Sequence, residues 1–337
     1  MIDPLILEDV RAGMAGAGID ALVLRPSPDF RYLRARSAGL SEAGVWEAGY
    51  LVVALDGPPA PADDPRQAAA LVPPTARRVA VDPQMHAAEL FALRLDAELV
   101  LASAVLAPLR LRKRSDEVAA MRRAAAAADA VLLAAREFAW FGATELAMAR
   151  RLRAMLAETG CEGAPSVLVA AGEHSADARH QPCERVINPG DALLVSLGGR
   201  WNGYCAEIAR VFAVAEPPED FDAMYSVVLA AQRAAVDRVR PGVACAEAAT
   251  AAREVIDGSG YGDYAAARAG RGIGLSPAEA PWLAAGEKFA AGMTVCLEPA
   301  IYLPDLFGAR VADVVVCGED GPELLSTGSR ALHVLDR

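Results

Sequence analysis

Apolar and polar residues follow helical and strand-like patterns in turn along the first third of the chain. Residues 4–17 carry apolar side chains at helical spacing, and residues 21–24 form a short apolar run that ends in the turn residues Pro26, Ser27 and Pro28. A strand-like run over 50–55 and further short segments continue the alternation. Helices and strands that alternate in this way predict a small α/β domain.

The pattern changes after residue 110. The segment 107–117 passes from basic to acidic residues, and its acidic end suits the start of a helix. We therefore predict two domains, 1–110 and 111–337. The elements predicted in the second domain are helices over 115–138, 144–159, 221–239 and 244–258, strands over 166–171, 192–197 and 204–214, and a strand-rich C-terminal part.

Composition and charge narrow the classes of function. The 337 residues are 54% hydrophobic, yet no apolar run approaches the roughly 20 residues of a membrane span. A net charge of −11 argues against nucleic acid or an anionic membrane as a partner. The six cysteines include no CxxC pair, and the N-terminus has no basic stretch typical of a signal peptide. These features predict a cytoplasmic protein with reduced thiols.

The most informative stretch is 190–214. Its two apolar runs flank the turn sequence Gly-Gly-Arg-Trp-Asn-Gly, which predicts a β-hairpin. Ser196 and Glu207 interrupt the apolar runs, and Glu298 interrupts the apolar run GMTVCLEPAIY. An ionised side chain in an apolar strand is costly unless it has a partner or a purpose. We therefore interpret the two glutamates as candidate site residues.

The hairpin, the loop segment ARHQP and the strand GMTVCLEPAIY together resemble the pita-bread family, which includes creatinase, aminopeptidase P, prolidase and methionine aminopeptidase. The resemblance extends over nearly the whole chain and is strongest after residue 112. It implies an α+β protein with a C-terminal pita-bread domain and a smaller N-terminal α/β creatinase-like domain. It also implies a homodimer that acts on a small-molecule substrate.

In the metallopeptidases of this family, two Asp, one His and two Glu hold two divalent ions. The resemblance places these five positions at Ser196, Glu207, Arg271, Glu298 and Ala312. Only one of the five residues is unchanged, and an arginine is a permanent cation that repels a metal ion. The sequence therefore predicts no metal and no cofactor.

Creatinase is the member of the family that works without metal, and its site pattern matches this chain better. The resemblance implies that His180, Glu207 and Glu298 are catalytic and that Arg271 replaces the charge of the metal. An imidazole titrates near neutral pH and suits a general acid and base. We expect a metal-independent creatinase-like enzyme that hydrolyses a C–N bond in a small polar nitrogen-containing substrate.

Five residues are candidates for substrate binding, and each has a plainer alternative. Arg271 is equally well explained as a structural ion-pair partner. For the catalytic candidate His180, the plainer but less favoured alternative is a structural loop residue. Ser196 fills an Asp position, Tyr204 suits the core and Arg310 suits the surface. Trp46 is the aromatic candidate, but the adjacent acidic Glu47 argues against creatine itself. The candidates are Arg271, Ser196, Tyr204, Arg310 and Trp46.

Two other classes of function remain open. The same pocket would serve a lyase, an isomerase or a cyclase, because an acid and base pair moves protons without water. A non-catalytic protein that binds a partner is the other class, and it would show a large apolar patch instead of converging polar groups. The missing ligands argue against a metal-dependent Xaa-Pro peptidase.

Overall fold

The chain forms two units, Met1–Leu111 and Arg112–Arg337. The structure is a computed structural model that describes residues 4–33, 49–164 and 166–335. Trp46, a predicted substrate-binding residue, lies outside these ranges. Within them, the helices are too short or too polar to span a bilayer.

The first unit is built on a five-stranded sheet with the order β3-β2-β1-β4-β5. β1 pairs in parallel with β4 and antiparallel with β2, and all four of its residues are buried, which explains its unbroken apolar sequence. β3 lies in a segment with the composition of a loop, and it forms because Ala62 pairs with Tyr50 of β2. The strands are β1 (Ala21–Leu24), β2 (Tyr50–Ala54), β3 (Ala60–Ala62), β4 (Arg78–Val81) and β5 (Glu98–Leu101).

Five α-helices accompany this sheet within residues 4–33 and 49–111. α3 shows why one begins where it does, because the Asp64 carboxylate accepts the N–H groups of Arg66 and Gln67 at 2.7 and 2.9 Å and Pro65 follows it. The helices are α1 (Pro4–Ala17), α2 (Pro28–Leu33), α3 (Pro65–Leu71), α4 (Ala87–Leu93) and α5 (Ser103–Leu111). α5 includes the first residues of the segment 107–117, in which the sequence predicts the domain boundary.

The second unit contains four long helices and ten strands among the residues that the structure describes. The helices are α6 (Ser115–Ala135), α7 (Glu145–Glu158), α8 (Phe221–Asp237) and α9 (Cys245–Gly258). The strands are β6 (Ser166–Ala171), β7 (Ala192–Trp201), β8 (Tyr204–Val214), β9 (Gly270–Gly272), β10 (Thr294–Leu297), β11 (Ala300–Leu303), β12 (Phe307–Arg310), β13 (Asp313–Cys317), β14 (Pro322–Leu324) and β15 (His333–Leu335).

The predicted hairpin is β7 and β8; β7 extends four residues beyond the predicted strand 192–197, and β8 has the predicted bounds. Asn202 and Gly203 form the two-residue turn with φ of 46° and 83°, the left-handed conformation that such hairpin turns require. β8 is buried along its whole length because α6 packs on the hairpin. The hairpin belongs to a sheet with the order β15-β8-β7-β6.

A second four-stranded sheet, β14-β13-β10-β9, and the pair β11-β12 complete this unit. A bridge between Ala209 and Ala312 joins the two large sheets, with N–H···O distances of 3.1 and 3.2 Å in the two directions. Cys205 of β8 also donates its N–H to the carbonyl of Gly274 at 2.7 Å. These bonds hold β8 beside the segments that follow β9 and precede β13, and they bring distant polar residues together.

Candidate functional site

Three ionised residues meet where the two sheets join, and we call Glu207, Arg271 and Glu298 the charged cluster. Arg271 Nη2 lies 2.5 Å from Glu207 Oε2, and its Nη1 donates to Glu298 Oε1. Its Nε donates to the carbonyl of Pro277 at 2.9 Å. The guanidinium therefore lies between both carboxylates and has each of its nitrogens bound.

The strands explain how the charged cluster assembles. Arg271 is the central residue of β9 and pairs with Cys296 of β10, two residues before Glu298. Glu207 on β8 lies opposite Gly198, which has no side chain. Ser196 occupies the next position on that face of β7 and donates its hydroxyl to Glu207 Oε1 at 3.1 Å. The structure thus brings together four of the sequence-predicted site residues.

The charged cluster is nearly enclosed. The side chains of Glu207, Arg271 and Glu298 are 12, 17 and 15% exposed. Burial opposes the charge of Arg271, but the neighbouring carboxylates outweigh that cost and raise its pKa. Burial raises the pKa of the Cys296 thiol well above its usual value, so this cysteine is neutral and does not suit a nucleophile.

Arg310 extends the polar surface beside the charged cluster. It ends β12 opposite Ala300, two residues after Glu298. Burial opposes the charge of this arginine, but Tyr302, Glu298 and Glu207 outweigh that effect and raise its pKa. Within the described residues, its buried Nε has no hydrogen-bond partner. A buried donor without a partner suits the binding of an anionic group.

Tyr204 has a different environment. It is the first residue of β8, is 2% exposed, and donates its hydroxyl to Glu117 Oε1 in the first turn of α6. The carboxylate of Glu117 also accepts the N–H of Arg114 at 2.7 Å. Tyr204 therefore ties the hairpin to α6, and its role in substrate binding stays a prediction.

A second group, which we call the histidine cluster, consists of Glu145, His174, His180 and Cys183. Glu145 Oε2 lies 2.7 Å from His180 Nε2, and Glu145 Oε1 lies 3.1 Å from His174 Nδ1. The thiol of Cys183 lies 3.4 Å from Glu145 Oε2 and 3.9 Å from His174 Nδ1. One potential ligand atom from each residue lies within 4.8 Å of all the others.

Local structure positions the histidine cluster. Glu145 is the first residue of α7, which begins there because Thr144 Oγ1 accepts the N–H of Ala147 at 3.2 Å. His174 lies in a short 3-10 helix, Gly172–Ala176, directly after β6. Burial raises the pKa of Glu145, but hydrogen bonds from Ala171 N–H and His180 outweigh it and leave the pKa below its usual value.

Sequence reasoning identified His180 but not its three neighbours. The spacing His-x5-His-x2-Cys in HSADARHQPC is a signal that points to His174 and Cys183. Glu145 lies 35 residues before His180, and only the packing of α7 against β6 reveals it. The catalytic role predicted for His180 stays a prediction, and in the structure its Nε2 is paired with Glu145.

A groove of about 430 Å³ lies apart from both clusters, between α6 and residues 327–331. Its lining includes Asp129, Arg136 and Arg210 among mostly small and apolar residues. It contains none of the sequence-predicted site residues. We therefore place the candidate site at the charged cluster.

In the metallopeptidases that the chain resembles, the hairpin holds metal ions, but the residues at these positions differ here. Arg271 engages Glu207 and Glu298 at once, and an arginine side chain keeps its charge at any ordinary pH. Ala312 offers no ligand atom, and Ser196 directs its hydroxyl at Glu207. The charged cluster therefore does not fit a two-metal centre.

Comparison with known proteins identifies the family. Residues 119–319 match the description Metallopeptidase family M24. The probable dipeptidase PepE of Mycobacterium tuberculosis is 37% identical over 225 residues, which cover 66% of this chain and 60% of that protein. The Xaa-Pro dipeptidase of Pyrococcus furiosus is 32% identical over 231 residues, which cover 68% of this chain and 66% of that protein.

Solved structures agree with these matches over more of the chain. The dipeptidase PepE of Mycobacterium ulcerans superposes with a TM-score of 0.87 and 32% identity, covering 99% of this chain and 98% of that one. A prolidase from Thermococcus sibiricus gives a TM-score of 0.90 and 25% identity, with coverage of 99% and 100%. The aligned segment of this chain nevertheless spans only 60% of the length of the PepE relatives found by sequence.

These similarities overturn one expectation. The metal-independent creatinase-like enzyme predicted from the sequence is wrong, because the relatives are named dipeptidases and Xaa-Pro dipeptidases of a metallopeptidase family. The histidine cluster, which carries metal-ligating residue types, also argues against it. The expectation was misleading because it inferred the reaction of the whole protein from the substituted metal-ligand positions alone.

The predicted α+β fold with a pita-bread domain is confirmed by the same structures. The hairpin, α8, α9 and the strands β9 to β13 lie within the matched residues, and β14 and β15 follow them. The chain belongs to Metallopeptidase family M24.

Proposed function

We propose that the chain is a hydrolase of short peptides whose substrate binds at the charged cluster. The observation that carries this proposal is the similarity to a dipeptidase structure over 99% of the chain. Glu207, Arg271, Glu298 and Arg310 all lie within the residues that match the family. The proposal takes the class of substrate from the relatives and the place of binding from the geometry.

A short peptide carries an ammonium group and a carboxylate, and the site offers a partner for each. Arg271 occupies Oε1 of Glu298, and the other oxygen of that carboxylate has no assigned donor among the described residues. Glu298 is near enough to Arg310 to raise the pKa of its guanidinium, and the buried Nε of Arg310 has no hydrogen-bond partner among the described residues. We assign the ammonium group to Glu298 and the carboxylate to Arg310, through charge-assisted hydrogen bonds.

Glu207 has less freedom than Glu298. Its two oxygens are bound by Arg271 and by the Ser196 hydroxyl, which fixes the orientation of the carboxylate. A carboxylate held in this way is suited to orient a substrate N–H or a water molecule near the peptide bond. We therefore assign a positioning role to Ser196 and a substrate-contacting role to Glu207.

The test is an assay of a dipeptide panel that includes Xaa-Pro sequences, with product amino acids measured by chromatography, in the presence and absence of added Zn²⁺ or Mn²⁺. We expect turnover of at least one dipeptide. Glu298→Gln removes a charged hydrogen bond worth about 1.5–3 kcal/mol and should lower kcat/KM by at least about tenfold. A panel with no hydrolysis under any of these conditions contradicts the proposal.

Arg310→Met provides a control for the orientation of the substrate. Its effect should be a higher KM for peptides with a free carboxylate and little change for the same peptides with an amidated C-terminus. Equal effects on both forms would remove Arg310 from carboxylate binding while leaving the peptidase proposal intact. The predictions of a homodimer, a cytoplasmic location and a small-molecule substrate are retained as parts of this proposal.

A further inference from the structure

The histidine cluster is a compact group of four metal-ligating side chains that the proposed peptidase reaction does not use. We propose that Glu145, His174, His180 and Cys183, none of which belongs to the charged cluster, bind one zinc-class divalent cation. The argument rests on the ligand types, their spacing and the support around them. It is independent of the proposed function.

The ligand types select the class of metal. Two imidazoles, one thiol and one carboxylate are the donors that zinc accepts in proteins, and a thiol is a poor ligand for the hard ions Mg²⁺ and Ca²⁺. Four protein ligands around one ion are typical of a structural site, in which the ion has no open position. The set therefore indicates a structural zinc-type centre.

The spacing of the ligand atoms suits a tetrahedral ion. Bonds of about 2.0–2.3 Å place neighbouring ligand atoms roughly 3.3–3.8 Å apart. Glu145 Oε2 lies 2.7 Å from His180 Nε2 and 3.4 Å from Cys183 Sγ, and His174 Nδ1 lies 3.1 Å from Glu145 Oε1 and 3.9 Å from Cys183 Sγ. With one ligand atom taken from each residue, all four lie within 4.8 Å of one another. Side-chain adjustments of under about 1 Å would bring these atoms to bonding positions.

The surroundings hold the carboxylate in place. Ala171 donates its N–H to Glu145 Oε1 at 2.8 Å, and Cys183 donates its N–H to Oε2 at 3.3 Å. Such outer hydrogen bonds orient the ligands of metal sites. The Glu145 side chain is fully buried, and a buried carboxylate needs a positive partner. A divalent cation supplies that charge, and His174, 31% exposed, leaves a route for its entry.

The location of the site gives the cation a role. The segment 172–183, which carries His174, His180 and Cys183, is already bound to α7 through its backbone. Leu146 donates its N–H to the carbonyl of Cys183 at 2.9 Å. The same loop carries Ser175, whose Oγ accepts the N–H of Gly308 in β12 at 2.8 Å. Gly308 has room for no side chain there, because a Cβ would collide with the Ser175 carbonyl. The cation would therefore hold the segment 172–183 in place, and with it the Ser175 contact to β12, the strand that ends at Arg310.

The experiment measures metal binding directly in the full-length protein. Bound metal is removed with a chelator and by dialysis, and Zn²⁺ is then added. The number of Zn²⁺ ions bound per chain is determined by inductively coupled plasma mass spectrometry. Co²⁺ is then substituted as a spectroscopic probe. We expect one equivalent of Zn²⁺ and a thiolate-to-cobalt charge-transfer band. Cys183→Ser should abolish that band and weaken Zn²⁺ binding by at least about tenfold, since even outer-sphere changes cost 10–100-fold.

Two control variants separate this site from other thiols and from the charged cluster. Cys161→Ser removes a buried cysteine outside the histidine cluster and should leave the band unchanged. Glu298→Gln should also leave it unchanged, whether or not peptidase activity is found. His174→Ala, checked for folding by circular dichroism, provides a second ligand variant and should lower the Zn²⁺ affinity. The proposal would be overturned if the protein bound less than one equivalent of Zn²⁺, or if the charge-transfer band persisted in Cys183→Ser.

Discussion

At the scale of single residues, Arg271 has the largest effect on the chemistry of the site. Its guanidinium binds two carboxylates that are themselves mostly buried, so each of the three charges depends on the others. Its planar fork reaches both carboxylates at once, which the single ammonium of a lysine does less well. Arg271 therefore converts two neighbouring carboxylates into an ion-pair network.

Arg271→Ala should destabilise the protein, because it leaves Glu207 and Glu298 near each other without a counter-charge. Removal of one partner from a fully buried pair costs about 3–5 kcal/mol, and the partial exposure here places the expected loss near the lower end, at about 3 kcal/mol. Urea unfolding followed by circular dichroism measures it. Arg253→Ala is the matched control, since the Arg253–Asp257 pair is about half exposed and worth under about 0.5 kcal/mol. Equal effects of the two changes would contradict the prediction.

At the scale of elements, the buried carboxylate of Asp313 joins β13 to β8 and α8 through hydrogen bonds. Asp313 is fully buried and accepts hydrogen bonds from Arg210 of β8 at 2.8 Å, Gln232 of α8 at 2.8 Å and Arg330 at 2.7 Å. Ser326 donates to it as well. These bonds join a strand of each large sheet to a helix, next to the Ala209–Ala312 bridge that brings the site residues together.

Asp313→Ala should therefore destabilise the protein by about 3–5 kcal/mol, because it leaves the buried Arg210 without its carboxylate partner. The change in the free energy of unfolding from urea titration checks the value. Asp320→Ala, at an exposed position after the same strand, should shift stability by no more than about 0.5 kcal/mol. A loss below about 1 kcal/mol for Asp313→Ala would show that the network contributes little.

At the scale of the whole molecule, each of the two units has its own buried core. The first unit buries apolar residues of β1, β2, β3 and β4, whereas Leu99 and Leu101 of the edge strand β5 are exposed. The second buries the hairpin, α6 and the faces of both four-stranded sheets. A unit with its own core and more than 200 residues has the properties of an independent domain.

We expect the fragment of residues 112–337 to fold without the first unit, because both clusters and the Asp313 network lie within it. Far-ultraviolet circular dichroism and thermal unfolding of the purified fragment test this expectation. A cooperative transition would support it. A fragment that is unfolded, or that unfolds without a transition, would show that the units depend on each other for stability.

Local patterns in the sequence were sufficient for most elements of the fold. The predicted strand over 166–171 coincides with β6, and the helix predicted over 144–159 differs from α7 by one residue at each end. The hairpin was predictable because alternation, turn residues and strand propensity all act over a few residues. The short strand β3 was missed, since pairing with β2 overrides a composition typical of loops. The helix α3, which begins at Pro65 after the aspartate cap, was missed as well.

The sequence by itself determined the hairpin and the family resemblance that follows from its motifs. Only the tertiary structure decided which polar residues meet. Arg271 contacts partners 64 and 27 residues away, and Glu145 contacts histidines 29 and 35 residues away. The physical reason is that secondary structure depends on neighbours in the chain, whereas an ion pair or a ligand set depends on how sheets and loops pack.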